Sequence, residues 1–337
     1  MKDVQVALLG LGNVGRAFAD YCRTNCDGLS PTLSIRAVAD SSGGLVLDSH
    51  KALDRVLIHK SQGRKLSEYA PAVSLIDSRS FIHSLEPAGI TVLIESLPTD
   101  IQYGQPALDL ITLALCRGLN VVTVDKGPLV HGFTSMGQAA KAGGSRFAYS
   151  GTTGVMIPFE LDGERVLEIA GVLNGTTNHI LTEMQERGVP FEQALAQAQT
   201  EGIAEPDPSL DVEGWDTAAK ILILAKSLMS ADTMLADVSR VGINEKTEPL
   251  IEAARAAGHA VRLVGRAHES NGRVRLTVTP EVVAADSPFF SVRGTSKLAV
   301  FKTELGEVVS TSRSGRDAIS QTILDDVVRV TSAPDLG

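Results

Sequence analysis

Residues 4–23 read VQVALLGLGNVGRAFADYCR, and the order of residue types in this stretch decides the architecture of the first part of the chain. Positions 4–9 are apolar with β-branched members, the pattern of a buried strand. Gly10, Gly12 and Gly15 follow as GxGxxG, and the residues beyond them put Phe18, Ala19 and Cys22 on one helical face. A lone GxGxxG carries little weight, but between a strand and a helix it has the context that dinucleotide binding requires. Gly10 permits the tight turn, Gly12 lets a pyrophosphate approach the backbone, and Gly15 lets helix and strand pack closely. Asn13 and Val14 begin the helix, whose N-terminal amides favour phosphate charge.

Working outward, a second strand over 33–39 ends at Asp40. A carboxylate there hydrogen-bonds ribose hydroxyls and favours NAD over NADP. Its spacing from Gly15 exceeds the usual ~20 residues, and the loop sequence DGLSPTLS at 27–34 accounts for the excess. Ser41 comes next, where a 2′-phosphate site often has arginine. Lys51, Arg55 and Lys60 could still reach such a phosphate, so NAD is expected with NADP as the alternative. Strand-like runs at 73–77, 90–94 and 119–124 alternate with helical stretches, of which 105–117 is the clearest. That alternation predicts an α/β fold, a Rossmann-like doubly wound parallel sheet. Ligands bind such sheets beyond the carboxyl ends of the strands. Ser96, Pro98 and Thr99 follow one strand and Lys126 follows another, placing all four as cofactor contacts, with Lys126 on the rim where nicotinamide and substrate would meet.

The 337 residues predict two domains, and 43% hydrophobic with 21% charged residues is ordinary for a globular protein. A formal charge of −9, no dense Lys/Arg run, one Trp and four Tyr argue against a nucleic-acid partner. No stretch approaches the roughly 18–20 apolar residues of a spanning helix, so no membrane is expected. The N-terminal apolar run reads as a strand and not as a signal peptide. Cys22, Cys26 and Cys116 have no framework spacing and read as reduced thiols in a cytoplasmic protein.

The pattern changes after Pro158. Residues 166–173 read as a strand, 174–178 (NGTTN) as a turn with Thr176 or Thr177 capping a helix over 180–187, and about 192–201 as another helix. Then comes EPDPSLDVEGWDTAAK at 205–220, running into ILILAK. One reading is a solvated acidic helix start, in which an Asp216–Lys220 pair is worth only about 0.2–0.5 kcal/mol. Against it, residues 212–225 form a helix pattern apolar on nearly every side, and such a helix is buried. Buried acids and lysines are costly unless paired and concentrate at active sites. A calcium loop is disfavoured, because the acidic spacing lacks the required glycine and distal glutamate.

With these stretches in hand, the sequence resembles the homoserine dehydrogenases, in the short form without an aspartokinase or regulatory domain. The resemblance rests on GLGNVG (10–15), IESLPTD (94–100), VVTVDKGPLV (121–130), YSGTTGVMIP (149–158), GVLNGTTNHILTEM (171–184), GIAEPDPSLDVEGWDTAAK (202–220) and DSPFFSVRGTSKLAVF (286–301). It implies NAD(P)-linked interconversion of L-homoserine and L-aspartate 4-semialdehyde on the route to threonine and methionine. It further implies a nucleotide domain over 1–130, an α+β substrate and dimerisation domain over 131–307, and a segment over 308–337 whose helix, about 316–330, returns to the nucleotide domain. A homodimer formed through the second domain's sheet is expected. Lys220 and Lys126 match the family's active-site lysines, Asp216 the carboxylate beside the first, and Glu205 the acid that holds the substrate's amino group. Asp211, Gly175 and Thr176 join the expected substrate contacts, and Gly315 the cofactor contacts. A sodium ion held by backbone carbonyls of Ser150, Thr153, Val155 and Ile157 is a further expectation from some family members.

Two departures stand out. Asp125 replaces the family's frequent asparagine before Lys126, and the Ser312–Arg316 stretch SRSGR replaces a glycine-rich loop. They leave open an oxidoreductase acting on a related amino-acid semialdehyde, and a catalytically silent nucleotide-binding regulator.

Overall fold

The strand β1 (Val4–Leu9) lies at the centre of a six-stranded sheet because five of its six residues are buried, as expected of a strand covered on both faces. In the computed structural model, which describes residues 3–25, 33–69, 76–158, 161, 163–312 and 317–332, the chain divides into two compact units. One comprises residues 1–152 with 315–337, the other residues 153–314.

In the first unit β1 leads to α1 (Asn13–Asn25), β2 (Leu33–Asp40), β3 (Gly43–Val46), α2 (His50–Ser61) and α3 (Ser78–Leu85). There follow β4 (Val92–Glu95), α4 (Ala107–Cys116), β5 (Asn120–Thr123), α5 (Lys126–Gly143), β6 (Phe147–Ala148) and the single turn α6 (Ser150–Thr153). The sheet order is β3-β2-β1-β4-β5-β6, parallel throughout except for β3. Local signals explain several boundaries. Ser49 caps α2, and Asp77 caps α3 by accepting from the Arg79 and Ser80 amides.

Of the strand expected at 73–77, only Ile76 and Asp77 fall among the described residues, and neither lies in a named strand. Residues 70–75 lie outside the described residues, Ile76 makes a single antiparallel bridge to Gly44, and Asp77 already belongs to the α3 cap. Among the described residues the edge is β3, which doubles back on β2 through a turn at Ser41 and Ser42. Alternation of apolar residues could not distinguish the two, because β3 is short and glycine-rich.

The second unit contains β7 (Val166–Val172), α7 (Gly175–Arg187), α8 (Phe191–Thr200), α9 (Ser209–Val212), α10 (Trp215–Leu228) and β8 (Ser239–Arg240). It continues through α11 (Glu248–Ala256), β9 (Ala260–Ser270), β10 (Arg273–Val283), β11 (Leu298–Thr303) and β12 (Glu307–Thr311). Its sheet runs β12-β11-β7-β9-β10-β8, antiparallel except for β8 beside β10, and α7, α10 and α11 pack on its strands. The α+β character expected of this region is present.

The buried helix differs from expectation in one respect. The apolar pattern at 212–225 suggested one helix, but α9 and α10 are separated at Gly214, which sits at φ 84° in the left-handed region that glycine reaches without strain. The Val212 carbonyl is taken by the Ile243 amide at 2.7 Å, so the helix is interrupted by a partner from another segment. Residues 217–219 and 221–225 of α10 are buried as the composition implied.

A last helix, α12 (Ala318–Ser332), belongs to the first unit, where it packs on α1, β5 and β6. Its Ile323, Leu324, Val327 and Val330 join the same core as Val6, Leu8 and Phe18.

Candidate active site

The first unit brings its expected cofactor residues together around the end of β1. Gly10 has φ 110°, and a Cβ there would come 2.5 Å from the Ser96 carbonyl oxygen; one at Gly15 would come 2.0 Å from the Gly10 oxygen. Neither position admits a side chain. Gly12 is different: it is exposed, and a Cβ would meet nothing within 4 Å. That open space lies before the amino end of α1, where Asn13 and Val14 stand and where no acidic residue offsets the positive dipole end. Ser96 closes one side by donating its hydroxyl to the Gly10 oxygen at 3.1 Å, and Pro98 and Thr99 follow, exposed. A cradle of this form fits a dinucleotide pyrophosphate.

Asp40 ends β2 as expected, but its carboxylate is already engaged. Oδ1 accepts from the Ser42 amide and hydroxyl at 2.8 and 2.6 Å, and Oδ2 from Lys60 Nζ and the Leu66 amide at 2.6 and 2.9 Å. Burial alone would raise this carboxyl's pKa, but the hydrogen bonds outweigh it and hold the group below its ordinary range. Of the three basic residues considered for a 2′-phosphate, Lys60 is therefore bound to the acid itself, and Ser41 is exposed in the adjoining turn.

At the carboxyl ends of β4 and β5 lies an acidic pair. Glu95 is fully buried, accepting from the Thr123 hydroxyl at 2.5 Å and the Leu97 amide at 2.6 Å. Burial, followed by the nearby Asp125 charge, pushes it up to about 8. Asp125, 1% exposed, caps α5 by accepting from the Gly127 amide at 2.9 Å. Its pKa is also raised, by burial that this amide only partly offsets. Lys126 is the first residue of α5, half-buried beside the cap.

In the second unit the acidic stretch folds around Asn174. This buried residue caps α7 through its Oδ1, which accepts from the Thr177 amide at 2.8 Å; the cap is therefore Asn174 and not Thr176 or Thr177. Capping leaves its Nδ2 free to donate to Asp211 Oδ1 at 2.6 Å and Asp216 Oδ2 at 2.8 Å. Lys220, one helical turn beyond Asp216, donates to the same Oδ2 at 2.6 Å and to the Leu173 carbonyl at 2.9 Å. The two charged side chains are 12% and 14% exposed, so the pair is mostly shielded from water yet accessible on one side. Gly175 and Thr176 form the first turn of α7, and the Thr176 hydroxyl donates to the Ile203 carbonyl at 3.2 Å, tying the turn to the loop that carries Glu205. Glu205 itself is exposed and has no side-chain partner among the described residues. Thus Asp211, Asp216, Lys220 and the start of α7 form one network, and Glu205 stands outside it.

Asn174 was legible only as a turn residue, because capping and bridging two acids are tertiary facts. Lys297 gave no signal at all as a lone loop lysine; it is half-buried near Lys220 and Asp216. Of the expected sodium ligands, the Ser150 amide and hydroxyl donate to Asp326 at 2.7 Å each, and the Val155 carbonyl accepts from the Thr153 hydroxyl at 2.6 Å. Val155 and Ile157 are buried. Among the described residues no group of His, Cys, Asp or Glu could hold a metal, and no helix is long and apolar enough to cross a membrane. Cys22 is buried, Cys116 exposed, and Cys26 and Gly315 lie outside the described residues.

Comparison with known proteins gives a consistent result. The model of the homoserine dehydrogenase family matches residues 156–328. A homoserine dehydrogenase of Methanocaldococcus jannaschii is 32% identical over 97% of this chain and 98% of its own length. An NAD(+)-dependent homoserine dehydrogenase of Pseudomonas canavaninivorans is 30% identical over 98% and 97%. A solved structure from Archaeoglobus fulgidus superposes with a TM-score of 0.83 at 28% identity, covering 97% of this chain and 99% of that one.

Proposed function

The chain belongs to the homoserine dehydrogenase family, and from that premise we propose that Lys220, Asp216 and Lys126 serve the interconversion of L-homoserine and L-aspartate 4-semialdehyde with a nicotinamide cofactor. The observation that carries this assignment is the commitment of Lys220: two of its three N–H donors go to Asp216 and Leu173, and the third remains for a substrate oxygen. The cofactor, when bound, supplies or accepts the hydride. As the aldehyde carbon is reduced, the Lys220 ammonium stabilises the developing alkoxide and hands it a proton, a combination of electrostatic and general-acid action. Asp216 holds the ammonium in place, and Asn174 holds Asp216 while keeping Asp211 at its other hydrogen. Glu205, exposed and without a side-chain partner, suits the substrate's ammonium; Gly175 and Thr176 bring the amino end of α7 to the same cluster.

Lys126 is the corresponding cation of the first unit, at the rim where the sheet ends. The residues around Gly12 are those that would hold the pyrophosphate, and NAD is the preferred form. Asp40 remains ionised, and a 2′-phosphate would both meet its charge and compete with it for Lys60. The first unit is read as the nucleotide domain and the second as the substrate and dimerisation domain of a cytoplasmic homodimer serving threonine and methionine synthesis. Purified protein should oxidise L-homoserine with NAD, seen as reduced nicotinamide by its near-ultraviolet absorbance. A panel of hydroxy amino acids in which another member is favoured by more than about tenfold, roughly 1.4 kcal/mol, would refute the substrate. Light scattering during gel filtration tests the dimer.

A further inference from the structure

L-Homoserine is a zwitterion with a hydroxyl at its far end, so a site that selects it must offer an anion, a cation and a polar group for the hydroxyl. In the second unit Lys220 is tied to Asp216 and the Leu173 carbonyl and, on the reading above, serves the reacting oxygen, which leaves the substrate's carboxylate without a cation. Lys297 is close enough for its charge to be felt by both Lys220 and Asp216, yet Asp216 is paired with Lys220 and no carboxylate pairs with Lys297 among the described residues.

The placement of Lys297 is built, not incidental. Its stem lies along Gly154, where a Cβ would come 3.1 Å from its Cδ and 3.2 Å from its Cε. Its carbonyl accepts from the Ser312 amide at 3.2 Å. Just before it, the Ser296 and Gly294 carbonyls accept from Asn178 Nδ2 at 3.2 and 2.8 Å, and Gly175 approaches Thr295 so closely that a Cβ would be 2.9 Å from its oxygen. Residues 294–297 are thereby fixed against the first turn of α7. Burial, and then repulsion from Lys220, push the Lys297 pKa below its ordinary value, with Asp216 offsetting part. A half-buried ammonium without a counter-ion gains more from an arriving anion than a solvated lysine does.

We propose that Lys297 binds the α-carboxylate of the amino-acid substrate and so sets the preference for an amino acid over an amino alcohol or amide. This inference rests on the homoserine reading above. The test compares L-homoserine with L-homoserinamide, which keeps the shape and removes the negative charge, in the wild type and in Lys297→Met and Lys297→Arg. Losing one member of a desolvated charge pair predicts a rise in homoserine KM of at least about 30-fold for Lys297→Met, with kcat within about threefold and the melting temperature little changed, because a carboxylate held alike in ground and transition states acts through KM. Lys297→Arg should recover most of the loss. The wild type should favour homoserine over the amide, and Lys297→Met should erase that preference. An unchanged homoserine KM, a retained preference, or an equal loss on both compounds overturns the assignment of Lys297. A wild type that oxidises neither compound overturns the homoserine reading itself, and the proposal with it.

Discussion

The two units bury acids in opposite ways. At the ends of β4 and β5, Glu95 and Asp125 are enclosed with hydroxyl and amide donors, and burial drives both carboxyls upward, the Lys126 charge offsetting part of the rise at Asp125. In the second unit Asp216 faces Lys220 at 2.6 Å, and the Asn174 amide supplies a second contact. The first arrangement favours a neutral acid at Glu95, and the second favours an ion pair. The contrast shows why acidic composition alone says little about chemistry: a carboxyl one turn from a lysine and one at the end of a buried strand are different reagents at neutral pH.

The largest effect expected from this contrast is at Lys220. Lys220→Met keeps most of the packing and deletes the donor to the alkoxide, so kcat should fall about 10²–10³-fold, or ~2.7–4 kcal/mol. A fall of less than about threefold would move the role to Lys126, since removing a positioned general acid typically costs at least ~10²-fold.

Next is Asp216→Asn, which keeps an acceptor but removes the charge. Hydrogen bonds to charged groups are worth about 1.5–3 kcal/mol, so kcat/KM should drop roughly 10- to 150-fold. If kcat held at low temperature and only the melting temperature fell, the second cluster would be structural, and the contrast between the units would vanish.

Glu95 tests the other side. Its folded pKa of about 8 lies above that of an unfolded glutamate, so between roughly pH 4.5 and 8 the unfolded chain has lost a proton that the folded one keeps. Stability must therefore fall as pH rises through that window, by about 1.4 kcal/mol per pH unit from this residue. Thermal melts should show the slope in the wild type and a flatter profile in Glu95→Gln; parallel profiles would mean that Glu95 is ionised. The smallest effect is at Asp40, where Asp40→Asn weakens the hold on Lys60. The NADP-to-NAD ratio of kcat/KM should rise about fivefold, on the order of 1 kcal/mol, and no rise would show that Lys60 does not face the ribose.

The sequence made the parallel sheet legible because GxGxxG lies between a strand and a helix, and the buried strands β1, β4 and β5 read as continuous apolar runs. It made Asp216 and Lys220 legible because they interrupt an otherwise apolar helix. What escaped were facts of long-range contact. β3 is a short edge that exists by pairing with β2, the break at Gly214 is fixed by the Ile243 amide, and Asn174 and Lys297 acquire meaning only when segments far apart in the chain meet. Asp40 reads from its place at a strand end as a ribose-binding acid, and its engagement by Lys60 could not be inferred from two residues in different elements.

The position of α12 has a consequence for how the chain is made. Its apolar face completes a core begun by β1 and α1, Tyr21 donates to Gln321 across that junction, and Asp326 receives the Ser150 amide and hydroxyl. The second unit is thus an insertion within the first, entered near residue 152 and left near residue 315. A ribosome adding about 5–20 residues per second leaves the nascent first unit without its closing helix for roughly 10–40 seconds. Throughout that interval the surface awaiting Ile323, Leu324, Val327 and Val330 is bare, while the inserted unit receives its last strand at Thr311, before α12 is made. The order of completion is therefore the reverse of the order of synthesis: the second unit closes first, and the first unit is finished last.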